Sequence, residues 1–223
     1  MKIKAFVAEF IGTFALIFIG VGAIASDAMS GGQSGLVGIA LAHGLTIAVM
    51  VSATAAISGG HLNPAVTIGL FSVKKIDFVN AIGYVVSQCL GGIVAVFFIK
   101  KIFPDAVLVS VEMGTPSLGA GISPGVGLLT EIILTFFLVF VVYGTGVYHL
   151  APKVGGLFIG LTVSLDILMG GPITGAAMNP ARHLGPALLG GGLDHLWLYW
   201  LGPVTGGILA AVTYRYVLES PQD

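Results

Sequence analysis

A chain of 223 residues with 9% charged and 56% hydrophobic side chains, and a mean hydropathy of +1.03, has too little charge to cover a wettable surface. An ordinary soluble protein carries about 25% charge, so part of this molecule's solvent is the lipid bilayer. The net charge of −1, with no charge run, excludes an electrostatic nucleic-acid partner, and the lone Cys89 excludes an internal disulfide.

Six apolar stretches follow in chain order, roughly 5–25, 35–57, 78–99, 126–148, 154–171 and 196–214. Each approaches the roughly 20 residues a helix needs to cross a hydrocarbon core. Glu9 is the one ionisable group in the first, His43 in the second, Glu131 in the fourth and Asp166 in the fifth; the third and sixth have none. The first stretch is too long, and too polar at Glu9, for a cleavable signal peptide and reads as a permanent span. The expectation is an all-α membrane protein. An even number of spans puts both termini on one side. Lys2, Lys4, Lys74, Lys75, Lys153 and Arg215, against Lys100 and Lys101, favour the cytoplasm as that side, and the expected host is the cell membrane.

The halves of the chain echo one another. Glu9 and Glu131 are offset by 122 residues, Gly44 and Gly160 by 116, Gly91-Gly92 and Gly206-Gly207 by 115. Asn63-Pro64-Ala65 and Asn179-Pro180-Ala181 are again 116 apart. Residues 1–223 read as a single channel domain, with a first repeat at 1–101, a connecting loop at 102–125 and a second repeat at 126–218. Three spans per repeat is an odd number, so the second repeat enters the membrane from the opposite side. Function is then expected at the repeat interface, near the bilayer midplane. Small residues at Ala40, Gly44, Gly156 and Gly160 permit close crossing of the second and fifth spans.

Each Asn-Pro-Ala motif opens an apolar segment too short to span, 64–72 and about 180–190. About ten residues cover only about 15 Å as a helix, half of the core. Proline suits the first helical position and asparagine the N-cap before it. Two such half-helices would meet at their N-termini in mid-membrane, each worth roughly half a positive charge. The approach segments 58–62 and 174–178 are expected to run extended. Irregular backbone at that depth is tolerated only where it is buried or lines a watery cavity.

These motifs carry a resemblance. Gly59-Gly60-His61-Leu62-Asn63-Pro64-Ala65-Val66-Thr67 and Met178-Asn179-Pro180-Ala181-Arg182 resemble the two signature loops of the aquaporin (major intrinsic protein) family. The repeat, the span count and the paired glutamates match over nearly the whole chain. The stretch from Asn63 to Lys75 is most similar to microbial and archaeal members. The resemblance implies six transmembrane helices plus two re-entrant half-helices, a homotetramer with one pore per subunit, and passive conduction of water or small neutral solutes. It implies no cofactor, and the spacing of His61, His149, His183 and His195 suggests no metal. Nothing suggests an enzyme.

The resemblance also assigns roles. Backbone carbonyls of Gly60, His61, Leu62, Gly175, Ala176 and Ala177 would line the pore, and Glu9 and Glu131 would brace the loops; on their own they could be helix-end acids reaching interfacial water. Arg182 would be the arginine of an outer constriction, instead of one snorkelling to headgroups. Spacing from the motifs adds His43, Ile167 and Ala176 to that filter, although His43 also reads as a helix-packing residue. The set His43, Ile167, Ala176, Arg182 departs from the usual water-selective pattern and from glycerol facilitators, which place Asp where His183 follows Arg182. It resembles plant vacuolar aquaporins, some of which pass ammonia or urea. The expected function is single-file water conduction that excludes protons and ions, with ammonia or another small neutral solute as additional cargo. A glycerol-type facilitator and a secondary transporter are the competing readings. Asp166, about 100° around the helix from Ile167, should not face the pore. Cys89 lies away from the filter, so mercurials should not block the pore directly.

Overall fold

A computed structural model describes residues 3–152 and 154–220. Lys2 and Lys153, two of the basic residues behind the expected orientation, lie outside the described residues. Among the described residues, six helices are long and apolar enough to cross a membrane. They are α1 (Ile3–Met29), α2 (Gly35–Ser58), α4 (Phe78–Ile102), α6 (Pro124–Val142), α7 (Gly155–Thr174) and α9 (Leu196–Thr213). Two short helices, α3 (Pro64–Ser72) and α8 (Pro180–Gly190), begin at the motifs, and α5 (Asp105–Ser110) sits in the connection between the halves. Both α6 and α9 end in a π-helical turn, Tyr143–Val147 and Tyr214–Leu218.

The half-helices begin where their caps dictate. Asn63 and Asn179 have extended backbones, and their side chains accept from Ala65 N and from Ala181 and Arg182 N. Proline follows each at the first helical position, where no N–H is needed. The helices leading into the motifs stop at Gly59 and Gly175, both left-handed, a conformation that glycine adopts without steric cost.

Packing interleaves the repeats. Half-helix α3 lies against α9 and α8 lies against α4, so each is cradled by the last span of the opposite half. The paired glycines explain the closeness. A Cβ on Gly92 would stand 2.8 Å from Ala181 O, and one on Gly207 would stand 2.7 Å from Ala65 O. The expected close crossing of α2 and α7 is present, with a Cβ on Gly160 only 2.2 Å from Gly44 O. In a bilayer no hydrophobic effect drives helices together, so this backbone proximity supplies the van der Waals contact that does.

One end of the bundle carries a polar latch. Glu219, at the close of the second π turn, accepts from Tyr143 Oη at 2.6 Å and pairs with Arg215 at 2.9 Å and Lys75 at 3.5 Å. Burial opposes ionisation of this carboxyl, but the Tyr143 and Arg215 hydrogen bonds and the Lys75 charge outweigh it and hold its pKa at about 2.

Candidate functional site: two pore loops and an outer constriction

The two loops share one bonding plan. Glu9 Oε1 accepts from Ser58 Oγ at 2.6 Å and His61 N at 2.9 Å, and Oε2 accepts from Leu62 N at 2.6 Å. Glu131 Oε1 accepts from Thr174 Oγ1 at 2.7 Å and Ala177 N at 2.9 Å, and Oε2 accepts from Met178 N at 2.7 Å. Behind them Tyr84 Oη donates to Ser58 O and Tyr199 Oη to Thr174 O. Both glutamates are fully buried. Left unpaired, the N–H groups they hold would each cost about 1–3 kcal/mol.

The approach segments are not extended, contrary to the sequence expectation. Gly59, Gly60 and Leu62 have φ of 89°, 64° and 50°, and Gly175, Ala176 and Met178 match them at 74°, 44° and 51°. An extended strand would send successive amides to opposite sides. Repeated left-handed residues instead turn consecutive N–H groups onto one carboxylate, forming the concave nest that binds anions.

Asn63 and Asn179 meet across the waist. Asn63 Nδ2 donates to Met178 O at 2.9 Å, and Asn179 Nδ2 donates to Leu62 O at 3.0 Å. An amide carries two N–H groups. One from each asparagine ties the loops together and one is left over, and both residues line the central cavity. This corrects one expected carbonyl. Leu62 does not line that cavity: its side chain turns away to pack on the face of α1 at Gly12, whereas Met178, whose carbonyl is bonded in the same way, stays at the cavity wall. Gly60, His61, Ala176 and Ala177 do line it, as does Met178, which the sequence reading omitted. Gly175 lines the outer vestibule.

Three cavities share walls across the bundle. An inner vestibule of about 750 Å³ meets the central cavity of about 30 Å³ at Val51, Gly60, His61, Val142 and Ile159. The central space accommodates a couple of water molecules, each needing roughly 10–15 Å³. Beyond it, an outer vestibule of about 220 Å³ shares His43, Ile167 and Arg182. Leu16, Ile47, Val163 and Leu138 give the central cavity an apolar wall opposite the loops. Cys89 and Asp166 line none of these three spaces.

His43, Ile167, Ala176 and Arg182 all line the central cavity, and all but Ala176 line the adjoining vestibule as well. Arg182, buried on the first turn of α8, donates from Nε to His43 Nε2 at 3.3 Å and from Nη1 to Gly114 O at 2.7 Å. His43 Nδ1 lies 2.8 Å from Ile39 O. Because Arg182 can only donate, His43 is assigned as the neutral Nδ1–H tautomer, donating to Ile39 O and accepting at Nε2. The Gly114 carbonyl was not foreseen. It is presented by a turn in which Glu112, Met113 and Gly114 all have left-handed φ, 49°, 56° and 64°. Gln88, which donates to Glu9 Oε2 at 2.7 Å and Thr67 Oγ1 at 3.0 Å, was also missed.

Helix N-termini that meet head to head inside a bundle of membrane-length helices, with a narrow and largely apolar passage between vestibules, define a channel for small neutral solutes. The chain matches the family model described as major intrinsic protein over residues 1–214, and it belongs to that family. It is 43% identical over 221 residues to aquaporin TIP4-4 of Zea mays, covering 95% of this chain and 85% of that one. Probable aquaporin TIP2-2 of Oryza sativa subsp. japonica is 43% identical over 230 residues, covering 97% and 88%. Among solved structures, the X-ray structure of the aquaglyceroporin from Plasmodium falciparum superposes with a TM-score of 0.84 at 27% identity, covering 98% of this chain and 97% of that one. These relatives are plant aquaporins and a Plasmodium channel, and they lend the microbial and archaeal likeness of 63–75 no support of their own. The chain is a multi-pass membrane channel.

Proposed function

We propose that this chain conducts water passively, in single file, while excluding protons and ions. The observation that carries the reading is the reciprocal pairing of Asn63 and Asn179 at the rim of one small cavity. Water follows the carbonyls of one loop to the waist. There the spare amide N–H groups donate to its oxygen from both sides, so the molecule cannot pass a proton along the file. The two half-helix ends add a positive potential that opposes protons and other cations. No residue has to ionise or react.

His43, Ile167, Ala176 and Arg182 form the selecting constriction in this reading. Arg182 is fixed by two bonds and keeps Nη2 without a protein partner among the described residues, available to passing solute. Ile167 leaves one wall apolar, which suits ammonia or another small neutral solute beside water. A glycerol-type facilitator is the second reading, supported by the similarity to an aquaglyceroporin structure. Against it stand His43, where facilitators place a bulky aromatic residue, and His183, where they place Asp.

The wider assignment has residues 1–101 and 126–218 as the repeats, 102–125 as their connection, and both termini cytoplasmic in a cell membrane. The exposed apolar side chains that ring the bundle suit lipid and the neighbours of a homotetramer. Reconstituted protein in a stopped-flow solute panel of water, ammonia, urea and glycerol tests the proposal. Water should pass fastest and glycerol slowest; glycerol swelling as fast as osmotic shrinkage would overturn it.

A further inference from the structure

Gly20 lies on α1 one turn outward of Leu16, a residue of the central cavity wall. A Cβ there would stand 2.3 Å from His43 Nε2, 2.5 Å from Cδ2 and 2.8 Å from Cε1. The outer edge of the imidazole therefore occupies the space that a side chain on α1 would fill. Glycine is the poorest helix former after proline, and Gly20 has no positive φ that would call for one. Gly22, two residues on, makes a useful contrast, since a Cβ on it would meet only Phe103 Cε2, at 3.9 Å.

The same helix supports the other anchor of Arg182. A Cβ on Gly114, whose carbonyl receives Nη1, would stand 3.1 Å from Val21 Cγ1 and 3.3 Å from Ile24 Cδ1. The face of α1 from Leu16 to Ile24 thus backs both groups that aim the guanidinium. Side chains of α2 and α8 make the visible contacts, and α1 decides how far back they sit.

We propose that Gly20 is a positioning residue of the outer constriction: lacking a side chain, it lets the His43 ring lie back against α1, which sets the bore of the filter and the aim of Arg182, and so selects among small neutral solutes wider than water. This rests on the reading of His43 and Arg182 as filter residues. A methyl group at position 20 requires the ring to retreat by about 1 Å to reach ordinary contact. The ring is tethered at Nδ1 to Ile39 O on its own helix. Its retreat from α1 is toward the lumen and strains the bond from Arg182 Nε.

The test is stopped-flow permeation on proteoliposomes of the full chain, normalised to reconstituted protein, with water, ammonia, formamide and urea. Wild type is compared with Gly20→Ala, Gly22→Ala, His43→Ala and the double variant Gly20→Ala/His43→Ala. For the widest of these solutes that the wild-type pore passes, Gly20→Ala is expected to lower permeability about tenfold, the effect of one methyl group in a tight pocket. Gly22→Ala should match wild type, and adding Gly20→Ala to His43→Ala should change nothing, because the colliding ring is gone. If Gly20→Ala does not reconstitute, the double variant should, since the clash is relieved; failure of both overturns the proposal. So does an unchanged solute profile in Gly20→Ala, or an equal change with and without His43. If His43→Ala itself leaves the profile unaltered, the filter reading fails; if it alters the profile and Gly20→Ala does not, only the role of Gly20 fails.

Discussion

The two pore loops share one plan and differ in what surrounds it. In the first, Gln88 adds a fourth donor to Glu9, and His61 Nδ1 lies 3.1 Å from Thr67 Oγ1, so imidazole, hydroxyl and amide form one hydrogen-bonded cluster. In the second, Pro203 occupies the position equivalent to Gln88, at the 115-residue offset shared by Tyr84 and Tyr199. His183 replaces Thr67, and its ring stacks on Tyr199 at 4.1 Å, while both its nitrogens lack partners. The arginine belongs to the second loop alone; its counterpart in the first, 116 residues earlier, is Val66. The first loop is thus the better braced, and the second carries the arginine to which the proposed function gives the selecting role. An inverted repeat can keep one backbone plan while its two ends diverge in chemistry.

The largest expected effect breaks the shared part of the plan. Glu131→Ala leaves Thr174 Oγ1 and the N–H groups of Ala177 and Met178 unsatisfied, at about 1–3 kcal/mol each. Folded yield after detergent extraction should collapse, with osmotic water permeability lost in whatever reconstitutes. Glu9→Ala should be milder, because the unpartnered Gln88 Oε1 can turn toward the freed N–H of Leu62. Equal damage from the two variants would remove the asymmetry.

Next in size, Arg182→Val copies Val66 into the outer constriction. Urea and glycerol permeability should rise about tenfold or more, on the scale of removing a fitted hydrogen-bonding group from a pocket, while water permeability changes little. An unchanged solute profile would take the selecting role away from the second loop. Gln88→Leu sharpens the comparison from the other side. It removes the bonds to Glu9 Oε2 and Thr67 Oγ1, worth about 0.5–1.5 kcal/mol each, so the thermal midpoint in detergent should fall while the solute profile stays as in wild type.

The smallest effect lies outside the membrane, at the Glu219 latch. Its folded pKa of about 2 is below the ordinary 4.5. The stabilisation it confers is therefore fully present above about pH 4.5 and fades as pH falls toward 2. Glu219→Gln should melt lower than wild type at pH 7, with the gap closing on acidification and permeability unaffected. A gap that does not depend on pH would contradict the assignment of the pairing to the ionised carboxylate.

Much of this was legible in the sequence because the repeat writes it twice. The span order and the bounds of α3 at 64–72 follow from paired landmarks at near-constant offset, while the bracing role of Glu9 and Glu131 came from the family resemblance. What stayed hidden has no second copy or no local signature. Gly114 lies in the connection between the repeats, and its carbonyl reaches Arg182 through a left-handed turn that the residues Glu112 and Met113 do not announce. The left-handed Leu62, Ala176 and Met178 likewise look extended in sequence, since none is glycine; the buried carboxylates impose that geometry. Gln88 reads as one polar residue in an apolar span, and only the tertiary fold brings it to Glu9. The quartet His43, Ile167, Ala176 and Arg182 was expected from the family resemblance carried over by spacing from the motifs, and all four line the central cavity; their selecting role belongs to the proposed function.

The most direct test measures water and proton flux in the same vesicles, under an osmotic step and then under a pH gradient with the membrane potential clamped. Osmotic shrinkage much faster than in protein-free vesicles, weakly dependent on temperature, with proton leak no higher than that of bare lipid, is the result this account requires. Rapid proton equilibration alongside the water flux would contradict the central role of Asn63, Asn179 and the opposed half-helices, and shrinkage no faster than bare lipid would contradict the channel itself.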